Sequence, residues 1–161
     1  MDALELLSEQ HDEVDELIEA LEKARKSEKK QALFVELADK LAAHAAIEET
    51  IFYPAVKARK TEDMLLESTE EHLAIKRVLA DMLALDVDAD HFDAKLSVLK
   101  EEVEHHAREE EEAKLFPLVR KLMSKPDLED LGAQLESSFG ELMEDSPRNN
   151  LPDELSEAAT L

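Results

Sequence analysis

Six side chains in this sequence have the types and spacings to bind metal ions. His106 and Glu110 are four residues apart, so on a helix they stand one above the other. At about 100° per residue their face also carries Phe92, Leu96, Leu99 and Val103. An imidazole and a carboxylate thus point into an apolar core, where burial without a partner costs several kcal/mol. A metal ion satisfies both groups at once. His44 and Glu48 repeat the spacing, on a face shared with Leu33, Leu37, Leu41 and Ile51. His11 lies in line with Leu4, Leu7, Val14 and Ile18, and His72 with Leu65, Ile75 and Leu79. The order is His, His-x3-Glu, then the same again, with 33 residues from His11 to His44 and 34 from His72 to His106. Such a repeat predicts two related helical pairs, each giving two histidines and one carboxylate to a shared centre.

The carboxylate of the second half has rivals. Glu48 precedes Pro54 by six residues, whereas Glu110 precedes Pro117 by seven. Beyond Glu110, the residues Leu115, Leu118, Val119 and Leu122 define a face displaced by about 100°. A single-turn π-bulge would absorb one extra residue, and such bulges are frequent at functional sites. Counting back from the proline selects Glu111, counting forward from His106 selects Glu110, and Glu109 pairs with His105. Glu110 is preferred because it shares the face of Leu99 and Val103. His105 falls off that face and reads as a surface residue, or one that supports a ligand from outside, rather than a ligand.

Four imidazoles and two carboxylates without a thiolate suit iron first, with manganese or zinc behind it. They are too many ligands for one tetrahedral structural zinc. They fit two ions if each carboxylate bridges both, which leaves coordination positions open. On iron, those positions accept dioxygen, peroxide or nitric oxide.

The elements that must position these groups are helices. With two glycines and five prolines among 161 residues, and much Leu, Ala, Glu and Lys, the composition predicts an all-α chain. Helix one is expected over 3–26, with Asp2 and Glu5 forming a capping box. A turn follows at 27–30, then helix two over 31–59, kinked at Tyr53 by Pro54. Helix three is expected over 62–85 with Thr61 as cap, a loop over 86–90, and helix four over 91–123, interrupted at Pro117. A shorter fifth helix from Pro126 carries an apolar stripe of Leu128, Leu131, Leu135, Phe139 and Leu142. The domain is expected over 1–145, with 146–161 a flexible C-terminal tail rich in Ser, Pro, Asn, Asp and Glu.

A formal charge of −22 argues against nucleic-acid and anionic-membrane partners. The absence of cysteine excludes thiolate sites, iron–sulfur clusters and disulfides. No apolar run has the length of a signal peptide or a membrane span, so a soluble cytoplasmic protein is expected.

The chain resembles the hemerythrin-like family, the HHE cation-binding domain, over about residues 3–145. The resemblance is carried by His11, His44 to Glu49 with Ile51-Phe52-Tyr53-Pro54, Glu71-His72, and His105 to Glu110 with Leu115-Phe116-Pro117. It implies an up-down-up-down four-helix bundle around a carboxylate-bridged non-haem diiron centre. His11, His44, His72 and His106 would be terminal ligands, with Glu48 and Glu110 bridging. Oxygen-carrying hemerythrins have one more histidine a turn after the third-helix ligand; here that residue is Lys76. The resulting expectation is a diiron protein that binds or reacts with dioxygen, peroxide or nitric oxide, in sensing, detoxification or iron handling. Weak peroxidase- or catalase-like turnover is compatible with it. The rivals are an iron-storage module without turnover and an unmetallated helical structural protein.

Overall fold

The computed structural model describes residues 1–155, all of whose regular structure is helical. Helix α1 (Ala3–Lys23) starts with the expected capping box: Glu5 N–H donates to the Asp2 carboxylate, and Asp2 N–H to the Glu5 carboxylate, each at 2.9 Å. Helix α2 (Ser27–Ile47) begins earlier than the polar run 27–30 suggested. Those residues form its first turn, with Ser27 Oγ donating to Asp88 and Lys30 Nζ 3.5 Å from Asp93. A π-helical segment (Glu48–Phe52) and the short α3 (Tyr53–Val56) continue α2. Thr61 stands at the N-cap of α4 (Glu62–Leu83), but its side chain does not cap it. The hydroxyl donates to the Val56 carbonyl at 2.9 Å and accepts from Ala58 N–H, tying the connection together. Helix α5 (Asp90–Glu104) runs through a second π segment (His105–Leu115) into α6 (Phe116–Leu122). These four rods form the bundle, and α7 (Lys125–Glu144) lies against α1 and α2. Gly132 permits that approach, since a Cβ there would sit 2.6 Å from the Met1 carbonyl oxygen.

Residues 146–155, expected to be part of a flexible tail, instead fold onto the bundle. A 3-10 turn (Pro147–Asn150) and α8 (Leu151–Glu154) bury Pro147 and Leu151. Arg148 clamps the buried Asp39 with its backbone N–H at 3.1 Å and its Nη1 at 2.8 Å. Composition hid this because two apolar anchors and one ion pair suffice in an otherwise polar segment. The remainder of the expected tail, 156–161, lies outside the described residues.

The interior has two apolar clusters. One gathers Val14, Ile18, Phe34, Leu37, Ile75, Leu79, Phe92 and Leu99. The other gathers Leu4, Leu7, Ile47, Phe52, Tyr53, Leu65, Leu115 and Phe116. Along every rod the chemistry-bearing histidine falls at the junction of the two: His11 between Leu7 and Val14, His44 between Leu41 and Ile47, His72 between Leu65 and Ile75, His106 between Val103 and Leu115. The polar layer is thus closed above and below by hydrocarbon, which lowers its dielectric and strengthens every interaction inside it.

Candidate metal centre

The two π segments set the register of the centre. Tyr53 N–H bonds to the Glu48 carbonyl and Phe116 N–H to the Glu111 carbonyl, both five residues back. Each of these bonds ends one residue before a proline. In an α-helix, Pro54 and Pro117 would press on the carbonyls four residues earlier, and the wider π turn removes that clash. Glu48 and Glu111 are therefore structural equivalents, each six residues before its proline.

This register corrects the expected carboxylate. His106 and Glu111 are five residues apart, a separation that a π turn brings onto one face. Glu111 is fully buried in the centre, whereas Glu110 lies at the rim and accepts from Lys114 Nζ at 2.8 Å. Glu109 is further out and takes His105 Nδ1 at 2.9 Å. The α-helical face argument failed because the helix is not α-helical over 105–115. The bulge expected in one turn extends over that whole segment, and the one at Glu48–Phe52 was not anticipated.

His11, His44, Glu48, His72 and His106 come together with Glu111 in one buried cluster, drawn from four rods. The imidazoles form two edge-to-face pairs, His11 with His44 at 4.9 Å and His72 with His106 at 4.6 Å between centroids. Glu48 lies between the pairs: Oε1 is 3.0 Å from His44 Nε2 and Oε2 is 2.8 Å from His72 Nε2. Glu111 Oε1 likewise lies 2.8 Å from His106 Nε2 and 3.6 Å from His11 Nε2. Tyr53 places its hydroxyl 3.1 Å from Glu48 Oε2 and 3.4 Å from Glu111 Oε2, in position to donate to either. Burial and then the Glu111 and Glu48 charges push that hydroxyl well above its usual range, so it stays a donor.

Every imidazole presents Nε2 inward and is approached from outside at Nδ1. The outer partners are Glu112 for His11 at 2.6 Å, Gln10 for His44 at 2.6 Å, Glu49 for His72 at 3.3 Å and Glu71 for His106 at 3.0 Å. For His11, His44 and His106 the outer acceptor fixes the proton on Nδ1 and turns the Nε2 lone pair toward the centre, as in metal-ligating histidines, whereas Glu49 stands off His72 without a hydrogen bond. Among the described atoms of the cluster, His11 Nε2, His44 Nε2, Glu48 Oε1 and Glu111 Oε1 on its inner side, and His72 Nδ1 on its outer side, are buried without a hydrogen-bond partner. Such orphaned atoms are costly unless an ion or water completes them. The donor set, its convergence and these orphans fit metal ions.

Opposite charges within the cluster shift three of its imidazoles and one of its carboxylates. Burial would depress the His11 imidazolium, but the Glu111 and Glu112 carboxylates override it and raise its pKa to about 9. The same contest raises His72 and lifts His106 well above its ordinary value. Burial likewise opposes ionisation of Glu48, yet His44, His106 and His72 hold it well below the usual carboxylate range.

A small cavity adjoins the imidazoles. It is lined by His11, His44, His72 and His106 with Val14, Leu41, Ile75, Leu79 and the stem of Lys76, and its volume is about 20 Å³. That admits one water-sized guest. Lys76 itself is buried and sends Nζ to Glu49 at 2.9 Å and Glu154 at 3.5 Å.

The hemerythrin HHE cation-binding domain model matches residues 2–119, and the chain belongs to that family. A crystal structure of a hemerythrin HHE cation-binding domain-containing protein from Mycobacterium kansasii superposes with a TM-score of 0.80 at 25% identity, over 90% of this chain and 89% of that one. A curated relative from Nostoc sp., named DNA nickase, is 26% identical over 144 residues, which are 89% of this chain and 41% of the relative. The chain therefore spans about two-fifths of that relative's length. Among the described residues no helix is long and apolar enough to cross a membrane.

Proposed function

We propose that the centre holds two iron ions and that the protein binds or reacts with dioxygen, peroxide or nitric oxide, serving detoxification, sensing or iron handling in the cytoplasm. The observation that carries this reading is the convergence of four inward Nε2 atoms on two fully buried glutamates. His11 and His44 would hold one ion, His72 and His106 the other, with Glu48 and Glu111 shared. Bound iron would supply open coordination positions and a change of oxidation state. The chain's own residues do the rest. The outer acceptors orient the imidazoles, and Tyr53 holds a proton between the two carboxylates. The apolar clusters exclude bulk water, and the cavity limits guests to small ones. Cleavage of DNA is not part of this reading, because a chain of net charge −22 repels a polyanion.

The test is metal analysis of protein from iron-supplied cells, with visible spectra of the reduced form before and after air, nitric oxide and peroxide. Two irons per chain, with charge-transfer bands appearing on oxidation and with consumption of peroxide, are expected. Iron that oxidises without consuming peroxide or binding nitric oxide would favour storage. A chain that takes up no metal would be a structural helical protein.

A further inference from the structure

Outside the imidazole layer, one arrangement occurs twice. The residue after each buried glutamate carries a carboxylate toward a histidine on another rod, and a cation meets that carboxylate. Glu112 faces His11 and meets Arg108; Glu49 faces His72 and meets Lys76. Only the first carboxylate is seated on its ring. His11 Nδ1–H donates to Glu112 Oε1 at 2.6 Å, whereas His72 Nδ1 is buried without a hydrogen-bond partner, 3.3 Å from Glu49. The two cations differ in a way that accounts for this. Lys76 stands on α4, the rod of His72 itself, and its ammonium is a point charge shared between Glu49 at 2.9 Å and Glu154 at 3.5 Å. It offers Glu49 a rival to the ring rather than a seat against it. Arg108 stands on the rod of Glu112, four residues before it, and its guanidinium is a rigid fork. Nη1–H donates at 2.6 Å to Glu112 Oε1, the same oxygen that takes His11. Nη2–H donates across the seam to Asp12 and Asp15 of α1, at 2.6 and 2.7 Å. Asp12 adjoins His11 in sequence and Asp15 stands one turn after it. The fork therefore ties the turn that carries the histidine to the carboxylate that backs it.

Burial alone does not keep Glu112 in place. Its side chain is 26% exposed, so an unheld carboxylate is free to turn to water. The imidazole of His11 is only 4% exposed, and its Nδ1–H would then be left buried without an acceptor, which is costly. We infer that Arg108 is a positioning residue of the metal centre: it seats Glu112 against His11 Nδ1 and so fixes the direction of the His11 Nε2 lone pair. This rests on the reading of the centre as a metal site. The charge of Arg108 works in the other direction, since a cation repels a metal ion. That repulsion is small here, because Asp12, Asp15 and Glu112 surround a guanidinium that is 30% exposed and screened by water. Positioning therefore decides the sign: Arg108 strengthens metal binding.

The experiment titrates ferrous ion under argon into the whole chain, following affinity by competition with a chelator and the fold by circular dichroism. The variants form a cycle: Arg108→Gln, Glu112→Ala and the two together. Outer partners of metal-bound histidines typically change affinity by about 10- to 100-fold, so Glu112→Ala should weaken uptake by that order. Arg108→Gln should weaken it by a smaller factor. The double variant should bind as Glu112→Ala does, because Arg108 acts through Glu112 and has nothing left to seat. A guanidinium that merely ties two rods together would instead give losses that multiply in the double variant. That multiplication overturns the inference, as does unchanged or tighter uptake by a folded Arg108→Gln chain. If Arg108→Gln does not fold, Arg108→Lys takes its place in the cycle, since it keeps the charge and gives up the fork. Unchanged uptake by Arg108→Lys then overturns the inference. An unmodified chain that takes up no ferrous ion overturns the metal reading itself, a result distinct from any outcome of the cycle.

Discussion

Lys76 Nζ lies 2.9 Å from Glu49 Oε2, and the same oxygen faces His72 Nδ1 at 3.3 Å. The lysine is therefore one carboxylate away from the centre. It occupies the helical position, four residues after His72, where a further imidazole could reach an ion. Its stem lines the cavity while its ammonium turns outward to Glu49 and Glu154. An ion held at His72 would receive no ligand from that position. We expect the reduced iron protein to oxidise in air without returning under argon. Lys76→His should move it toward reversible oxygenation. Visible spectra through cycles of air and argon read both. If the unmodified protein already cycles and Lys76→His cycles identically, Lys76 is a spectator.

The register of the second π segment gives a sharper expectation. Glu111→Ala removes a carboxylate that lies between His106 and His11, so it should cost the protein at least one of its ions. Glu110→Ala removes only a rim partner of Lys114 and should leave both ions bound. Iron per folded chain, measured on both variants, separates them. A full complement in Glu111→Ala with loss in Glu110→Ala would reverse the assignment.

The same segment shows where reading the sequence stops. The four histidines and Glu48 were legible because hydrophobic residues three and four apart mark the inward face of a regular helix. Glu111 was not, because that rule presumes about 100° per residue and the chain departs from it over 105–115. The correct signal was present in the prolines. Glu48 and Glu111 stand at the same distance before Pro54 and Pro117, and the π turns exist where those rings need room. The outer acceptors were hidden for another reason. Glu49, Glu71 and Glu112 look like surface charges among 41 acidic residues, and only packing of neighbouring rods brings each to an Nδ1. Residues 146–155 were hidden by composition, since the burial of Leu151 cannot be read from a polar stretch.

Stability should depend on pH in opposite senses with and without metal. In chelator-treated protein the His11 pKa is raised to about 9 from an ordinary 6.5. A raised folded-state pKa stabilises the fold fully below 6.5, and the gain is lost as pH rises through about 9. For this one buried group it is on the order of 3 kcal/mol. His72 and His106 shift in the same direction. Metal binding instead requires the deprotonated imidazoles, so the increment from iron should shrink below about pH 6. Melting temperatures from pH 5 to 9, with iron and with chelator, should diverge with rising pH. Two curves that coincide at every pH would leave the centre without a structural ion.

The C-terminal segment should behave as part of the fold. Leu151 is fully buried and belongs to the apolar cluster of Phe34, Leu37, Leu79 and Phe92. Arg148 covers the buried Asp39 on α2, and Glu154 reaches Lys76 on α4. Leu151→Ala opens a cavity in that cluster and should cost about 2–4 kcal/mol, which in a chain of this size lowers the melting temperature by about 2–4 °C per kcal/mol. Arg148→Ala strips Asp39 of its charged partner and should cost about 1–3 kcal/mol. A chain ending at residue 145 loses both contacts and should melt below either variant. Its metal content should stay unchanged, because none of the four imidazoles, the two buried glutamates or the groups facing each Nδ1 lies beyond Glu112. Calorimetry with metal analysis on the same samples checks the pair of expectations. A truncated chain that melts with the full one would show that 146–155 add nothing to stability, and one that folds without iron would tie the segment to the centre.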